Sequence, residues 1–304
     1  MDDPIVSILL VTWKRIDLLE DCLNAIAAAK PAVPFELVIV NNGGSRTADR
    51  VEAIASGARI IHARVNLGLP GGLRLARSVA RGRYLATLQD DVVVQEGWLD
   101  RLVERMDADP WVGIVGSRIE LPDGHQICGL YMLGDLSWLH PKADPEPAPV
   151  DLCTSASMLI RARAWDDAGG PSPELFPLGY VDFDLCIRVA RCGWIVEVLS
   201  QSIVRHKWHQ STSGAARTYT GWRNARLVRE WHSTWLSGRP SQATLDDMRR
   251  LLLARATAIR ANPPPPGKDP KPLTSSDLAR LEKIARRGAL RMRYRKFLFS
   301  LGIR

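Results

Sequence analysis

The stretch Leu85-Ala86-Thr87-Leu88-Gln89-Asp90-Asp91-Val92-Val93-Val94 sets two carboxylates directly after a run of mostly apolar residues. Such a run reads as a buried strand, and in an open α/β sheet the carboxyl ends of strands face the ligand crevice. Carboxylate oxygens placed there are hard ligands suited to Mn²⁺ or Mg²⁺, cations that bind diphosphates and neutralise their charge. For an Asp-Asp pair on its own, a solvated turn is the plain alternative. A second pair, Asp182 and Asp184, lies in Phe176-Pro177-Leu178-Gly179-Tyr180-Val181-Asp182-Phe183-Asp184-Leu185, at the junction of a loop and a helix. One carboxylate of such a pair can cap the helix while the other faces a substrate, although capping alone would also explain it. The third segment, Val204-Arg205-His206-Lys207-Trp208-His209-Gln210-Ser211-Thr212, brings two imidazoles. A neutral imidazole can ligate a metal, with ordinary packing as the alternative for either one. Together the three segments offer a cation site and a separate carboxylate base, the combination that direct displacement at an anomeric carbon requires.

These side chains need elements to position them. Ile5 to Val11 and Phe35 to Val40 read as strands, with helical spacing over Ile16 to Ala29 between them. The second strand ends at Asn41-Asn42-Gly43-Gly44-Ser45, residues that tolerate positive φ and expose backbone N–H groups. A weaker strand at Arg59 to Ala63 leads to Asn66-Leu67-Gly68-Leu69-Pro70-Gly71-Gly72, a helix from Leu73 to Arg81 and a strand at Tyr84 to Leu88. Further on, the pattern predicts a helix over Trp98 to Met106, strands at Val112 to Ser117 and Ser155 to Arg161, a helix over Asp182 to Arg191 and a strand at Ile195 to Leu199. A proline-rich loop region with Pro141, Pro145, Pro147 and Pro149 interrupts this series. Alternating strands and helices imply an α/β fold with a mostly parallel sheet. Residues 1–214 are read as this catalytic unit and residues 215–304 as a basic helical region, broken by prolines at 262–266.

A chain of 304 residues is long enough for one large domain and an appendage. Its 46% hydrophobic and 24% charged residues exclude wholesale disorder. No apolar run reaches the roughly 20 residues of a membrane span, and the acidic start Met1-Asp2-Asp3-Pro4 is unlike a signal peptide, so a cytoplasmic protein is expected. Cys22, Cys128, Cys153, Cys186 and Cys192 form neither a CxxC pair nor a zinc grouping and read as free thiols.

Taken in order, the segments resemble glycosyltransferase family 2, whose members adopt the nucleotide-binding GT-A fold. Val6 to Arg15 looks like the family's opening strand and donor loop, which assigns Thr12 and Arg15 to the donor. Val38 to Ser45 is similar to the second nucleotide-contact strand, with Asn41 where the family usually carries an Asp that bonds the base. Asn66-Leu67-Gly68 with Gly72 resembles the family's donor-approach loop, and Arg74 follows it toward the diphosphate. Gln89-Asp90-Asp91 stands in place of the DxD motif. By that match Asp91 holds the cation directly, and Asp90 meets the ribose or the metal through water. Tyr180 to Leu185 looks like the segment carrying the catalytic base of inverting members, which puts Asp182 at the base and Val181 where a Glu usually stands. His206 matches the closing His segment as a further metal ligand, with His209 in reserve.

The resemblance implies a UDP-, dTDP- or GDP-sugar as donor and Mn²⁺ or Mg²⁺ as cofactor. The acceptor stays open among a glycan, a lipid-linked sugar and a small molecule. Asp184 and His209 are assigned to acceptor or supporting roles, and Trp138 is the indole expected to offer a flat face to the acceptor. Two rivals stand beside the transferase. A non-catalytic sugar-nucleotide or glycan-binding module is favoured by the departures at Asn41, Gln89 and Val181. A nucleotidyltransferase would carry a glycine-rich loop after the first strand, whereas Val11-Thr12-Trp13-Lys14-Arg15 has no glycine. In the tail, arginines interleave with Leu290, Met292, Tyr294 and Phe297. That pattern fits a solvated helix face, peripheral attachment to the inner face of an anionic membrane, or a partner or homodimer contact. Nucleic acid is not an expected partner, because no nucleic-acid module accompanies the charge.

Overall fold

The computed structural model describes residues 3–207, 214–263 and 273–300. His209, Trp208, Ser211, Thr212 and Pro264 to Pro266 therefore lie outside the described residues. The N-terminal half contains β1 (Val6–Thr12), α1 (Ile16–Ala29), β2 (Phe35–Asn41), α2 (Ala48–Ile54), β3 (Arg59–His62), α3 (Gly68–Arg77), β4 (Tyr84–Gln89), β5 (Val92–Val94), α4 (Trp98–Ala108) and β6 (Val112–Glu120). Short strands β7 (Gln126–Ile127), β8 (Tyr131–Met132), β9 (Trp138–Leu139) and β10 (Ala148–Pro149) follow, then β11 (Ser157–Arg161), α5 (Ala162–Ala168), α6 (Val181–Arg191) and β12 (Ile195–His206). The chain ends in α7 (Gly214–Trp231), α8 (Ser233–Ser237), α9 (Leu245–Ala261) and α10 (Ser275–Ser300).

The principal sheet runs β10-β12-β6-β11-β4-β1-β2-β3, with β5 added to β12 and β7 to β6. Strands β4, β1, β2 and β3 are mutually parallel, as are β6 and β12, while β11 lies antiparallel between β4 and β6. This is the mostly parallel α/β sheet that the alternation predicts. Central strands β1 and β4 are buried almost throughout, which explains their continuous apolar runs. On α1, Ile16, Leu19, Cys22 and Ile26 share the buried face. All five cysteines are free, and four of them are buried.

Several elements differ from the sequence reading. The strand expected to stop at Leu199 continues to His206, crossing a register irregularity between Leu199 and Ile203. Beyond it the strand pairs with β5, setting His206 opposite Val92. The third helix begins at Gly68 rather than Leu73, because its first amides find partners: Gly68 N–H donates to Asn66 Oδ1 and Leu69 N–H to Pro177 O. The proline-rich loop contains the paired strands β8 and β9. Helix α9 opens with a capping box between Thr244 and Asp247, and α10 packs across α3 and the turn Pro173–Leu175. Gly288 of α10 lies against the Phe176 ring, where a Cβ would come within 2.5 Å of Cδ1.

Candidate functional site

A cleft of about 1110 Å³ opens at the carboxyl ends of β1 and β4. Its floor is Thr12, Gln89, Asp90 and Asp91, and one side is the Asn42, Asn66 and Gly68 loops. Ser155, the Phe176–Gly179 segment and Asp182 also line it, with Pro177 in contact with the Gly68 loop. Helix α10 closes the cleft with Ala285, Arg286, Ala289, Leu290, Met292 and Arg293, and Arg217 of α7 joins that wall.

The acidic floor is built by strand register. Val11 of β1 lies beside Gln89 of β4, which delivers Asp90 and Asp91 to the crevice. His206 arrives from the far end of β12, and its Nε2 lies 3.0 Å from Asp91 Oδ1. Asp91 is only 7% exposed. Burial pushes the Asp90 carboxyl up to about 7; the Thr12 hydroxyl opposes that rise and the Asp91 charge adds to it. Asp182 Oδ2 accepts from the Ser155 amide at 3.3 Å and Oδ1 from the Phe183 amide at 3.1 Å. Burial nonetheless raises its pKa above the usual carboxylate range. Ser155 also ties the two acidic segments together, because its hydroxyl accepts from Gln89 Nε2 at 3.2 Å.

The donor-side glycines serve different ends. Gly68 has φ +68°, and a Cβ there would meet Pro177 O at 2.6 Å, so the Asn66 loop and the Phe176–Gly179 segment touch only because this position lacks a side chain. Gly72 does not line the cleft; it lets α3 settle on Val11, whose Cγ1 would stand 2.6 Å from a Cβ.

Thr12, Asn66, Gly68, Asp90, Asp91, Asp182 and His206 are thus brought together around one cleft. Other assigned residues sit elsewhere. Asn41 is fully buried with its amide consumed: Oδ1 accepts from Gly43 N–H and Thr47 Oγ1, and Nδ2 reaches Gly44 O and His62 Nδ1. It is Asn42 that borders the cleft. Arg74 donates to the carbonyls of Gly169 and Pro171, and Arg15 pairs with Asp17 at 2.6 Å. Trp138 is 40% exposed and packs edge-on against Phe183 outside the cleft lining.

Asp184 faces away from the cleft. Its Oδ2 accepts from Ser172 N–H and Oγ, its Oδ1 lies 2.9 Å from His232 Nε2, and Arg188 stands 3.7 Å away. Burial would push this carboxyl up, but the hydrogen bonds from His232 and Ser172 prevail and hold it below the usual range.

The cation-binding potential can be judged from the donor set. A carboxylate oxygen and an imidazole nitrogen converge beside a second carboxylate, a combination that suits Mn²⁺ or Mg²⁺ when ligand oxygens complete the shell. Among the described residues no three or more His, Cys, Asp and Glu side chains are grouped so as to hold a metal ion by themselves. The Asp91–His206 pair with Asp90 beside it is thus a partial donor set.

The Glycosyl transferase family 2 profile matches residues 7–142, the segment from β1 through the Asp90-Asp91 turn to the end of β9. This match, over somewhat less than half of the chain, marks its similarity to glycosyl transferase family 2. Among curated relatives, y4gI of Sinorhizobium fredii, an uncharacterized protein, is 26% identical over 211 residues, or 63% of this chain. The alignment spans 23% of y4gI, so this chain corresponds to about a quarter of that protein. An uncharacterized glycosyltransferase of Haemophilus influenzae is 18% identical over 76% of this chain and 74% of its own length. Among solved structures, GalNAc-T7 with UDP, GalNAc and Mn²⁺ superposes with a TM-score of 0.60 at 13% identity, covering 84% of this chain and 55% of GalNAc-T7. Residues 1–349 of Staphylococcus aureus TarS give 0.53 at 16% identity, over 84% of this chain and 73% of TarS. These structures show that the chain has the GT-A fold.

Sequence reasoning missed Ser155, Phe176 and the α10 wall. The α10 signal was present, since Ala285, Ala289 and Met292 recur at helical spacing with Gly288 between them. Which surface that stripe covers is not a local property of the sequence.

Proposed function

We propose that this protein is an inverting glycosyltransferase that moves a sugar from a nucleoside-diphosphate sugar to an acceptor hydroxyl. The observation that carries the reading is the placement of the Asp91–His206 pair and the half-buried carboxylate Asp182 around one cleft, at the carboxyl ends of the central strands. Asp91 and His206 would hold a divalent cation, with Asp90 beside them. Bound there, Mn²⁺ or Mg²⁺ would neutralise the charge developing on the departing diphosphate.

The chain's own residues supply the remainder. Thr12, Asn42 and the Asn66–Gly68 loop bound the donor side. Asp182, its pKa raised by burial, is a stronger base than an ordinary carboxylate and takes the acceptor proton as the hydroxyl oxygen attacks the anomeric carbon. Attack opposite the diphosphate inverts the configuration. The Ser155 and Phe183 amides fix the rotamer of the carboxylate. Helix α10 lines the cleft with the apolar Ala285, Ala289, Leu290 and Met292 and with Arg286 and Arg293. That mixed apolar and cationic wall favours an acceptor with an anionic group.

Thermal denaturation with a panel of UDP-, dTDP- and GDP-sugars, in Mn²⁺, Mg²⁺ or chelator, tests this reading. A nucleotide sugar that raises the Tm only with metal supports it. Failure of every nucleotide sugar under every metal condition contradicts it and favours a binding module for another glycan.

A further inference from the structure

We infer that the C-terminal helical region positions the catalytic base, with Asn224 and His232 as the positioning residues; this rests on the assignment of Asp182 as base. Both side chains are buried, Asn224 on α7 and His232 at the junction of α7 and α8, and both bind the segment that carries Asp182.

Asn224 of α7 is fully buried. Its Nδ2 lies 2.9 Å from Leu175 O, 3.0 Å from Leu178 O and 3.0 Å from Gly179 O. The two N–H groups of one amide are thus shared among three carbonyls of the irregular segment immediately before α6. Carbonyls in such a segment have no helix or sheet partner, and an unmet buried acceptor costs about 1–3 kcal/mol. Its own Oδ1 is met by the neighbouring Arg223, which also donates to Glu174 O at 3.0 Å.

His232, 3% exposed, follows α7 and bonds Asp184, which is 1% exposed and lies on the first turn of α6 two residues after the base. Asp184 in turn receives the Ser172 amide and hydroxyl. One extension residue therefore fixes the approach to α6 and another fixes its first turn, with Asp182 between the two anchors. Neither Asn224 nor His232 lines the cleft, so any effect on turnover passes through the base segment.

The test uses the full chain, Mn²⁺ and the nucleotide sugar that stabilises it. Asn224→Ala and His232→Leu are expected to lower kcat for donor turnover by roughly 10²-fold, the order that a misplacement of about 1 Å costs, with the donor KM little changed. His232→Gln keeps a side-chain N–H toward Asp184 and should recover most of the rate. Hydrogen exchange gives a readout independent of activity: amides of residues 175–184 should lose protection in Asn224→Ala while those of β1 and β4 keep it. If Asn224→Ala fails to fold, the comparison of His232→Leu with His232→Gln decides. Unchanged kcat and unchanged exchange in folded variants would overturn the inference. Full turnover by Asp182→Asn would instead overturn the base assignment, and the exchange result would separate that failure from this one.

Discussion

Asp91 and His206 stand 115 positions apart in sequence, yet Oδ1 of one lies 3.0 Å from Nε2 of the other. The β5–β12 pairing produces this meeting, because His206 is opposite Val92, the residue after Asp91. In the proposed function this pair would turn its oxygen and nitrogen to a divalent cation. Asp91→Asn and His206→Ala should each abolish the Mn²⁺-dependent part of nucleotide-sugar stabilisation. Turnover should fall by on the order of 10²-fold or more, as for other groups that stabilise developing charge. Thermal shift with and without Mn²⁺ reads the first effect, and nucleoside-diphosphate release reads the second.

Asp182→Asn should cost on the order of 10²- to 10⁴-fold in rate, the usual contribution of a general base. Donor binding by calorimetry should be unaffected. Because the base acts deprotonated, native kcat/KM should fall as pH drops through the raised pKa of Asp182. The residual rate of the variant should lack that acid limb.

Asp90 links pH to stability in the metal-free protein. Its folded pKa of about 7 exceeds the unfolded value of 3.8, so between these values the folded state binds more proton than the unfolded state. The Asp90 contribution therefore weakens stability as pH rises from about 4 to 7. Asp90→Asn should raise the metal-free Tm at pH 8 relative to the native chain, and the difference should vanish near pH 4. Urea titrations at both pH values check the sign.

Gly68→Ala should destabilise the fold by about 1–3 kcal/mol, since it combines positive φ with a 2.6 Å approach to Pro177 O. Gly288→Leu should displace α10 from Phe176 and open the cleft, weakening donor protection against slow hydrolysis. Denaturation curves read the first, and hydrolysis without acceptor reads the second.

Much of this architecture is legible in the residues themselves. The buried runs of β1 and β4 and the polar groups that follow them declare a parallel sheet with a crevice at its carboxyl edge. The order of Asp90, Asp91, Asp182 and His206 along the chain agrees with their meeting around one cleft. The reading is weaker where a polar side chain has a backbone alternative. Asn41 spends its amide on the turn that follows β2, and Arg74 on the carbonyls after α5. Residue type announces hydrogen-bonding capacity, but packing decides whether a ligand or a loop receives it. The roles of Asn224 and α10 are hidden for a related reason, as both depend on where distant helices dock. No helix among the described residues is long and apolar enough to cross a membrane.

The most direct test is proton NMR of the anomeric signal in the first sugar product released from the stabilising nucleotide sugar, before mutarotation sets in. Direct attack assisted by Asp182 predicts a product of inverted anomeric configuration, and loss of that signal in Asp182→Asn. A product that retains the donor configuration, or an Asp182→Asn protein that forms the inverted product at the native rate, would contradict it.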